Sequence, residues 1–339
     1  MSRSALRRGA AAALLLVSGL ALGAPRASAQ IASEGETPSL FGIHDPGGEA
    51  LFEQKGKTGW IVFTEALGAD PGDKSGRDYS DWTERGHGAI VRLDYGDPPQ
   101  GTLPCPDAYP AFVVRVSSFV AASKGAHIWV IGNEMNLPSE WPTCGGAPAP
   151  ITPRAYAGVF AKIRRGIRAL PGHASDQVIP GAVSWTAQET SSDTLQYQID
   201  VFAALGQNGA DGAALHVYTT GATPDLVVSE RKMTGASSSR YAEFRSYRDN
   251  IRALPAWAQG LPIYITEARP RPWPRTNSGW VQAAYAEIDA WNRTAGNPQI
   301  HALVLFRWAE FASTPGTGII GLLGVQEDLD AALDKDYEW

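Results

Sequence analysis

Two glutamates stand where an apolar run ends, and both could serve acid–base or nucleophilic chemistry. The run Trp129–Ile131 leads into Asn133 and Glu134, and the run Ile263–Thr266 leads into Glu267. Two carboxyl groups that face one another can cleave a glycosidic bond, because one protonates the leaving oxygen and the other attacks the anomeric carbon or activates water. Unequal burial and mutual repulsion can separate their pKa values as these roles demand.

Polar residues follow most of the other short apolar runs as well. These positions are His44 and Asp45, Glu65, Arg92 and Asp94, Asn133 and Glu134, Trp185, His216 and Tyr218, Glu267, and Arg307 and Trp308. A polar residue at one strand end is usually a cap or a loop hydrogen bond. The same feature around a ring of parallel strands is typical of an active site.

The elements that must position these residues are short β-rich runs alternating with longer amphipathic stretches. The predicted strands are Leu40–Ile43, Trp60–Phe63, Ala89–Leu93, Ile128–Gly132, Val178–Val183, Ala213–Val217, Ile263–Thr266 and Ala302–Phe306. The predicted helices are Tyr109–Ala122, Arg154–Leu170, Tyr241–Leu254 and Trp280–Asn292, with a weaker one over Ser80–Arg85. The alternation predicts eight βα units with a parallel sheet.

We expect this sheet to close into an α/β fold of the TIM barrel type, (β/α)8. Such a barrel typically needs about 250 residues, which the chain provides with room for loops. An open doubly wound sheet is the alternative, and it usually carries a glycine-rich G-x-G-x-x-G loop after its first strand. The segment Phe41–Gly48 has no such pattern.

At these strand ends the chain resembles the clan A glycoside hydrolases, which are (β/α)8 enzymes that act with retention of configuration. The resemblance implies that Glu134 is the acid/base and Glu267 the nucleophile. It implies that Asn133 hydrogen-bonds the sugar hydroxyl next to the reacting carbon. The His and Tyr that often follow strand six in this clan are matched by His216 and Tyr218, and Tyr218 would then steady the nucleophile.

The resemblance extends to Trp308, which would form the floor under the reacting sugar, and it departs from the clan at one arginine. The clan's arginine ends strand two, whereas here Glu65 ends strand two and Arg92 ends strand three. Either Arg92 takes that role by a different route or the strand count is off by one near the start. Glu65 is a rival for the catalytic role.

His44 and Trp185 complete the predicted substrate-binding set. A histidine at the first strand end could also indicate a metal-dependent hydrolase. Such barrels usually place His-x-His after strand one with further histidines on later strands. The six histidines here are spread out, and only His44 and His216 end strands. We therefore predict no metal and no cofactor.

Composition sets the class of protein. With 44% hydrophobic and 19% charged residues in 339, the chain has ample material for a core. The formal net charge is −6, and there is no Lys/Arg-rich run. This argues against nucleic acid as a partner, because phosphate backbones are bound by basic surfaces.

The first 29 residues have the pattern of a secretory signal peptide. Arg3, Arg7 and Arg8 precede the apolar stretch Ala10–Leu22, and Ala27–Ala29 gives a small-x-small cleavage site before Gln30. The apolar stretch is shorter than the ~20 residues that span a bilayer, although an uncleaved anchor is the alternative. We predict a signal peptide over 1–29, one catalytic domain over 30–339, and a secreted protein without a membrane segment after cleavage.

Export favours a disulfide between Cys105 and Cys144. Disulfides form in oxidising compartments, and both cysteines lie in Pro/Gly-rich loop sequence. Their spacing matches no zinc site, and no nearby histidine completes a ligand set. Two free thiols are the alternative.

Two loop features bear on the ligand. Of the eleven tryptophans, five lie near strand-end loops, namely Trp141, Trp185, Trp273, Trp280 and Trp308. Aromatic rings stack on sugars, so these five favour a glycan groove, with core packing as the alternative for each.

The segment Glu267–Arg275 carries three arginines, which are either solvated and paired to acids or positioned to recognise an anionic glycan.

These observations predict a secreted, monomeric, retaining glycoside hydrolase that acts on a poly- or oligosaccharide. A non-catalytic barrel that binds glycan of the cell envelope is the second hypothesis. The presence of both Glu134 and Glu267 argues against it, since a degenerate barrel has little need for the pair.

Overall fold

The structure is a computed structural model that describes residues 36–184, 194–310 and 317–339. The described residues belong to one compact unit. The predicted signal peptide over 1–29 and the predicted substrate-binding residue Trp185 lie outside the described residues.

Eight parallel strands form the sheet. They are β1 (Phe41–His44), β2 (Trp60–Ala66), β3 (Gly88–Asp94), β4 (Ile128–Ile131), β5 (Gln177–Pro180), β6 (Ala213–Thr219), β7 (Ile263–Pro270) and β8 (Ile300–Leu305). They pair in the order β5–β4–β3–β2–β1–β8–β7–β6, and β5 also contacts β6. The sheet is therefore a nearly closed barrel, and the predicted (β/α)8 TIM barrel is confirmed with all eight predicted strands.

A helix follows each strand in the described part of the chain. The helices are α1 (Glu49–Gln54), α2 (Ser80–Thr83), α3 (Tyr109–Ala122), α4 (Pro153–Arg168), α5 (Thr194–Leu205), α6 (Ser246–Ala253), α7 (Trp280–Asn292) and α8 (Leu323–Leu333). The predictions for α3 and α7 are correct to the residue. The eight predicted βα units imply helices α1, α5 and α8, but the sequence analysis gave no bounds for these three. No helix within the described ranges is long and apolar enough to cross a membrane.

Helix α4 shows how the local sequence sets its ends. The Thr152 hydroxyl accepts a hydrogen bond from the Ala155 N–H at 3.3 Å, and Pro153 occupies the first turn, where it removes no helical hydrogen bond. Arg165 and Arg168 lie in the last turn, where a positive charge interacts favourably with the helix dipole. The buried stripe is Tyr156, Phe160, Ile163 and Ile167.

Strand alternation divides the apolar side chains between two cores. In β2, Trp60 packs inside the barrel, whereas Ile61 and Phe63 pack between the sheet and the helices. The Trp60 and Tyr264 rings meet inside at 5.4 Å in a T-shaped arrangement. Because the interior is packed with side chains, only the rim at the carboxyl ends of the strands is open to build a site.

The predicted disulfide is present. Cys105 follows β3, Cys144 lies in a short antiparallel hairpin after β4, and their Cα atoms are 5.8 Å apart. The bond joins two loops on the rim beside the end of β4.

Candidate active site

The ends of β4 and β7 bring Glu134 and Glu267 to one histidine. The His216 Nδ1 lies 2.8 Å from the Glu134 Oε1, and its Nε2 lies 3.6 Å from the Glu267 Oε1. All three side chains are buried. The two predicted catalytic carboxyl groups therefore contact opposite edges of one imidazole ring.

Glu267 is held at both oxygens. The Arg92 Nη1 donates to its Oε1 at 2.7 Å, and the Tyr218 hydroxyl donates to its Oε2. Burial alone would raise the pKa of this carboxyl, but electrostatic interactions with the His216 ring and the Arg92 guanidinium, with smaller contributions from His44 and the Tyr218 hydrogen bond, lower the pKa to about 2. Glu267 is therefore ionised at neutral pH.

Glu134 stands in an unusual backbone conformation. Its φ is +42°, which L-residues with a side chain rarely adopt, and its N–H donates to the Ala182 carbonyl at 2.9 Å. Such conformations cluster at functional sites. Within the described residues its Oε2 accepts no hydrogen bond. One carboxyl oxygen is therefore available to a bound molecule.

Arg92 reaches the site from β3, so the predicted strand count is right. Its Nε donates to Asp94 at 3.1 Å, and its Nη1 donates to the Asn133 Oδ1 at 3.0 Å. Thr102, which sequence analysis missed, donates to Asp94 at 2.9 Å and accepts the Asn133 N–H at 2.6 Å. This network fixes the orientation of the Asn133 amide beside Glu267.

A further acid of the site, Glu140, was not predicted. Glu140 lies in a short 3-10 turn after β4, and its carbonyl accepts the Thr102 N–H at 3.0 Å. Burial raises the pKa of its carboxyl to about 7, and the charges of Glu134 and Asp94 add to this effect. Because Glu140 is six residues beyond Glu134 and follows no strand directly, inspecting strand ends could not find it.

The ends of β1 and β8 form the opposite wall. The His44 Nδ1 lies 3.1 Å from the Asp45 carboxylate, which also accepts a hydrogen bond from Arg307. The Trp308 N–H donates to the His44 carbonyl at 2.8 Å, and its half-exposed indole covers Gly48 so closely that a Cβ there would lie 2.9 Å from the ring. The His44 Nε2 is buried without a hydrogen-bond partner.

Two of the tryptophans expected near a glycan groove belong to the core instead. Trp280 is fully buried and donates to the Thr219 hydroxyl at 2.9 Å. Trp273 is buried and donates to the Phe306 carbonyl at 2.8 Å. Each indole N–H is satisfied internally, so neither ring is free to stack on a sugar.

Glu65, the rival catalytic candidate, is engaged elsewhere. Its carboxyl accepts hydrogen bonds from Arg77 at 2.7 Å and from the Tyr79 hydroxyl at 3.1 Å. Alternation along β2 places it on the same side as Phe63, which packs in the outer core. Its partners are consistent with a structural role.

One group in the described ranges has the donor atoms for a metal ion, and it lies at the other end of the barrel. His127 precedes β4, and Asp176 precedes β5; together with His173 they place one ligand atom each within 4.8 Å of one another. The buried Asp176 carboxylate contacts both imidazoles and accepts the Trp129 indole N–H at 2.6 Å. These hydrogen bonds account for the cluster.

No protein-family model matches the sequence, and no curated protein matches it. Solved structures do match. The solved structures that this fold resembles include glycoside hydrolases. A glucosidase from Croceicoccus marinus aligns with a TM-score of 0.58 and 11% identity, over 88% of this chain and 68% of that one.

Two further structures have the same barrel. A family 39 glycoside hydrolase from Bacteroides cellulosilyticus aligns with a TM-score of 0.53 and 14% identity, over 84% of this chain and only 59% of that one. An endo-β-1,3-glucanase of family 128, subgroup II, from Sorangium cellulosum aligns with a TM-score of 0.50 and 13% identity, over 89% of this chain and 99% of that one. At these identities the likeness shows the fold.

Proposed function

We propose that this chain is a secreted glycoside hydrolase that cleaves a poly- or oligosaccharide by a retaining double displacement. The observation that carries the proposal is the pair Glu134 and Glu267 on the two edges of the His216 ring, with Glu267 ionised and Glu134 left with a free oxygen. The likeness of the fold to glycoside hydrolases supports it.

In the first step, the Glu267 carboxylate attacks the anomeric carbon while Glu134 gives its proton to the departing oxygen. Arg92 and Tyr218 hold one carboxylate oxygen each, so the nucleophile is aligned before the sugar arrives. The glycosidic bond breaks, and a covalent ester forms between Glu267 and the sugar. The negative charge of Glu267 is lost in this ester.

In the second step, Glu134 removes a proton from water, and the resulting hydroxide oxygen attacks the same carbon. The ester bond breaks and Glu267 is ionised again. His216 contacts both carboxyl groups, so it interacts electrostatically with each of them as their charges change.

The remaining predicted residues bind the sugar in this proposal. The Asn133 amide, oriented by Arg92, faces the hydroxyl next to the reacting carbon. Trp308 supplies a flat apolar surface under the ring, and the unpaired His44 Nε2 accepts or donates a hydrogen bond to a hydroxyl.

The test is a screen of the protein lacking residues 1–29 against polysaccharides and aryl glycosides, followed by proton NMR of the first product. Retention predicts that the product anomer initially matches the substrate. An inverted first product would contradict the double displacement. Glycan binding without turnover of any substrate would favour the non-catalytic barrel.

A further inference from the structure

Arg269 is a partly buried cation beside the proposed nucleophile that the mechanism does not use. It lies on β7 two residues beyond Glu267, and the intervening Ala268 packs in the outer core, so alternation directs Arg269 to the mouth of the barrel. Its guanidinium carbon is 5.5 Å from the Phe306 ring centre and 6.0 Å from that of Tyr218.

The charge of Arg269 is not compensated within the described residues. Its Nε is buried without a hydrogen-bond acceptor, and no carboxylate lies within ion-pair distance. The two other arginines at the ends of barrel strands are paired, Arg92 with Asp94 and Glu267, and Arg307 with Asp45. Leaving a partly buried cation unpaired is costly, and its partial burial lowers the pKa of Arg269.

A second guanidinium lies next to it. Arg271 is exposed, and its guanidinium carbon stands 4.2 Å from the centre of the Tyr218 ring, whose hydroxyl holds Glu267. The acids that face the cleft without a strong cation partner, Glu134 and Glu140, belong to the loop after β4. Both guanidinium groups therefore lie on the β7 side of the cleft, next to the Tyr218 ring.

We propose that Arg269, with Arg271 beside it, binds the carboxylate of a uronic acid unit in the substrate; the inference rests on the proposed glycosidase function. A planar carboxylate accepts two parallel N–H bonds from a guanidinium, and such bonds are stronger where water is excluded. The Phe306 and Tyr218 rings cover part of Arg269 and provide that exclusion. A carboxylate at this point would satisfy the buried Nε and neutralise the charge.

The experiment compares uronate glycans with their carboxyl-reduced, neutral forms. Turnover is measured with the wild-type protein, and binding is measured by calorimetry with the Glu267→Gln variant. Both measurements use oligosaccharides of glucuronoxylan, polygalacturonate and hyaluronan. For at least one pair, we expect the uronate form to be preferred tenfold or more. Arg269→Gln should remove this preference, and Arg269→Lys should keep part of it, because a charge-assisted hydrogen bond contributes about tenfold or more in affinity. The matched control is Arg275→Gln, an exposed arginine on the same segment.

The outcomes separate this inference from the proposed function. Turnover of neutral glycans with no uronate preference, or equal losses on both forms in Arg269→Gln, would overturn the inference and leave the glycosidase intact. Arg269-dependent binding of uronate without turnover of any glycan would overturn the glycosidase and leave the binding site.

Discussion

The Glu267 carboxylate is buried and contacts Arg92, Tyr218 and His216, and we propose it as the nucleophile. In Glu267→Ala we expect kcat to fall about 10³-fold or more, because a methyl group cannot form the ester. Azide or formate should occupy the vacated space and restore part of the rate. Chromogenic turnover, with circular dichroism to check the fold, measures this. Glu65→Ala is the control and should stay within a few-fold of wild type; undiminished activity in Glu267→Ala would move the nucleophile elsewhere.

Glu140 gives a second residue-scale prediction, through pH. With its pKa raised to about 7, Glu140 changes charge near neutrality, so the kcat/KM profile should contain an ionisation near pH 7 that comes from Glu140. In Glu140→Gln this ionisation is absent, so the dependence of kcat/KM on pH near 7 should weaken. The exposed Asp107→Asn should leave the profile unchanged. An unchanged profile in Glu140→Gln would contradict the effect of the Glu140 charge on the reaction.

The same carboxyl predicts a pH dependence of folding. A folded-state pKa above the unfolded one means that ionisation costs stability, so this contribution to the free energy of unfolding falls as pH rises from about 4.5 to 7. Urea unfolding at pH 5 and pH 8 should show Glu140→Gln relatively more stable at pH 8. An equal difference at both pH values would mean that Glu140 titrates normally.

At the residue scale, the sequence predicted the polar residues that lie at strand ends. It missed residues whose positions depend on the path of a loop. Glu134, Glu267 and His216 could be predicted to lie together because a parallel barrel brings its strand ends together wherever the loops go. Thr102 and Glu140 meet only because two long loops fold back over the rim. The sequence left open whether the arginines after Glu267 are solvated and paired to acids or recognise an anionic glycan, and no local pattern indicates that Arg269 lies partly buried on β7 without an acid in ion-pair distance among the described residues.

At the scale of elements, periodicity predicted the long amphipathic helices and failed where tertiary contacts determine the ends. The helix expected over Tyr241–Leu254 begins only at Ser246, because Tyr241 pairs with Lys232 in a β-bridge and donates its N–H to Asp249. Helix α1 has six residues, too few to show a period of 3.6. The strands were easier to predict because each is a short run buried on both faces.

The disulfide between the two rim loops should contribute measurably to stability. In Cys105→Ser/Cys144→Ser the two positions, 39 residues apart in the sequence, are no longer linked in the unfolded chain. We therefore expect the free energy of unfolding to fall by about 2–4 kcal/mol. Denaturant unfolding with and without reductant measures this, and reductant should affect only the wild type. Two titratable thiols in the unfolded, unreduced protein would refute the bond in solution.

At the scale of the whole molecule, the disulfide links stability to the compartment in which the chain folds. Cytosolic thiols are kept reduced, whereas exported chains are oxidised. We therefore expect exported protein to contain the disulfide. Protein that is expressed in the cytoplasm without residues 1–29 should lack it. The charge pattern fits export as well, since Arg3, Arg7 and Arg8 precede the apolar stretch Ala10–Leu22 and no acid does.

Export can be tested by placing a charge in that apolar stretch. In wild type we expect a secreted product that begins at Gln30, as shown by intact mass, with no free thiol. Leu15→Arg should leave the chain unprocessed inside the cell, with two reduced cysteines and the unfolding midpoint of the double serine variant. Oxidation of that material in vitro should raise the midpoint toward the secreted protein's value. Ser4→Arg adds the same charge before the apolar stretch and should be secreted normally, because a positive segment there is part of the export pattern. Secretion of both variants with full-length mass would show that residues 1–29 are not a cleaved signal.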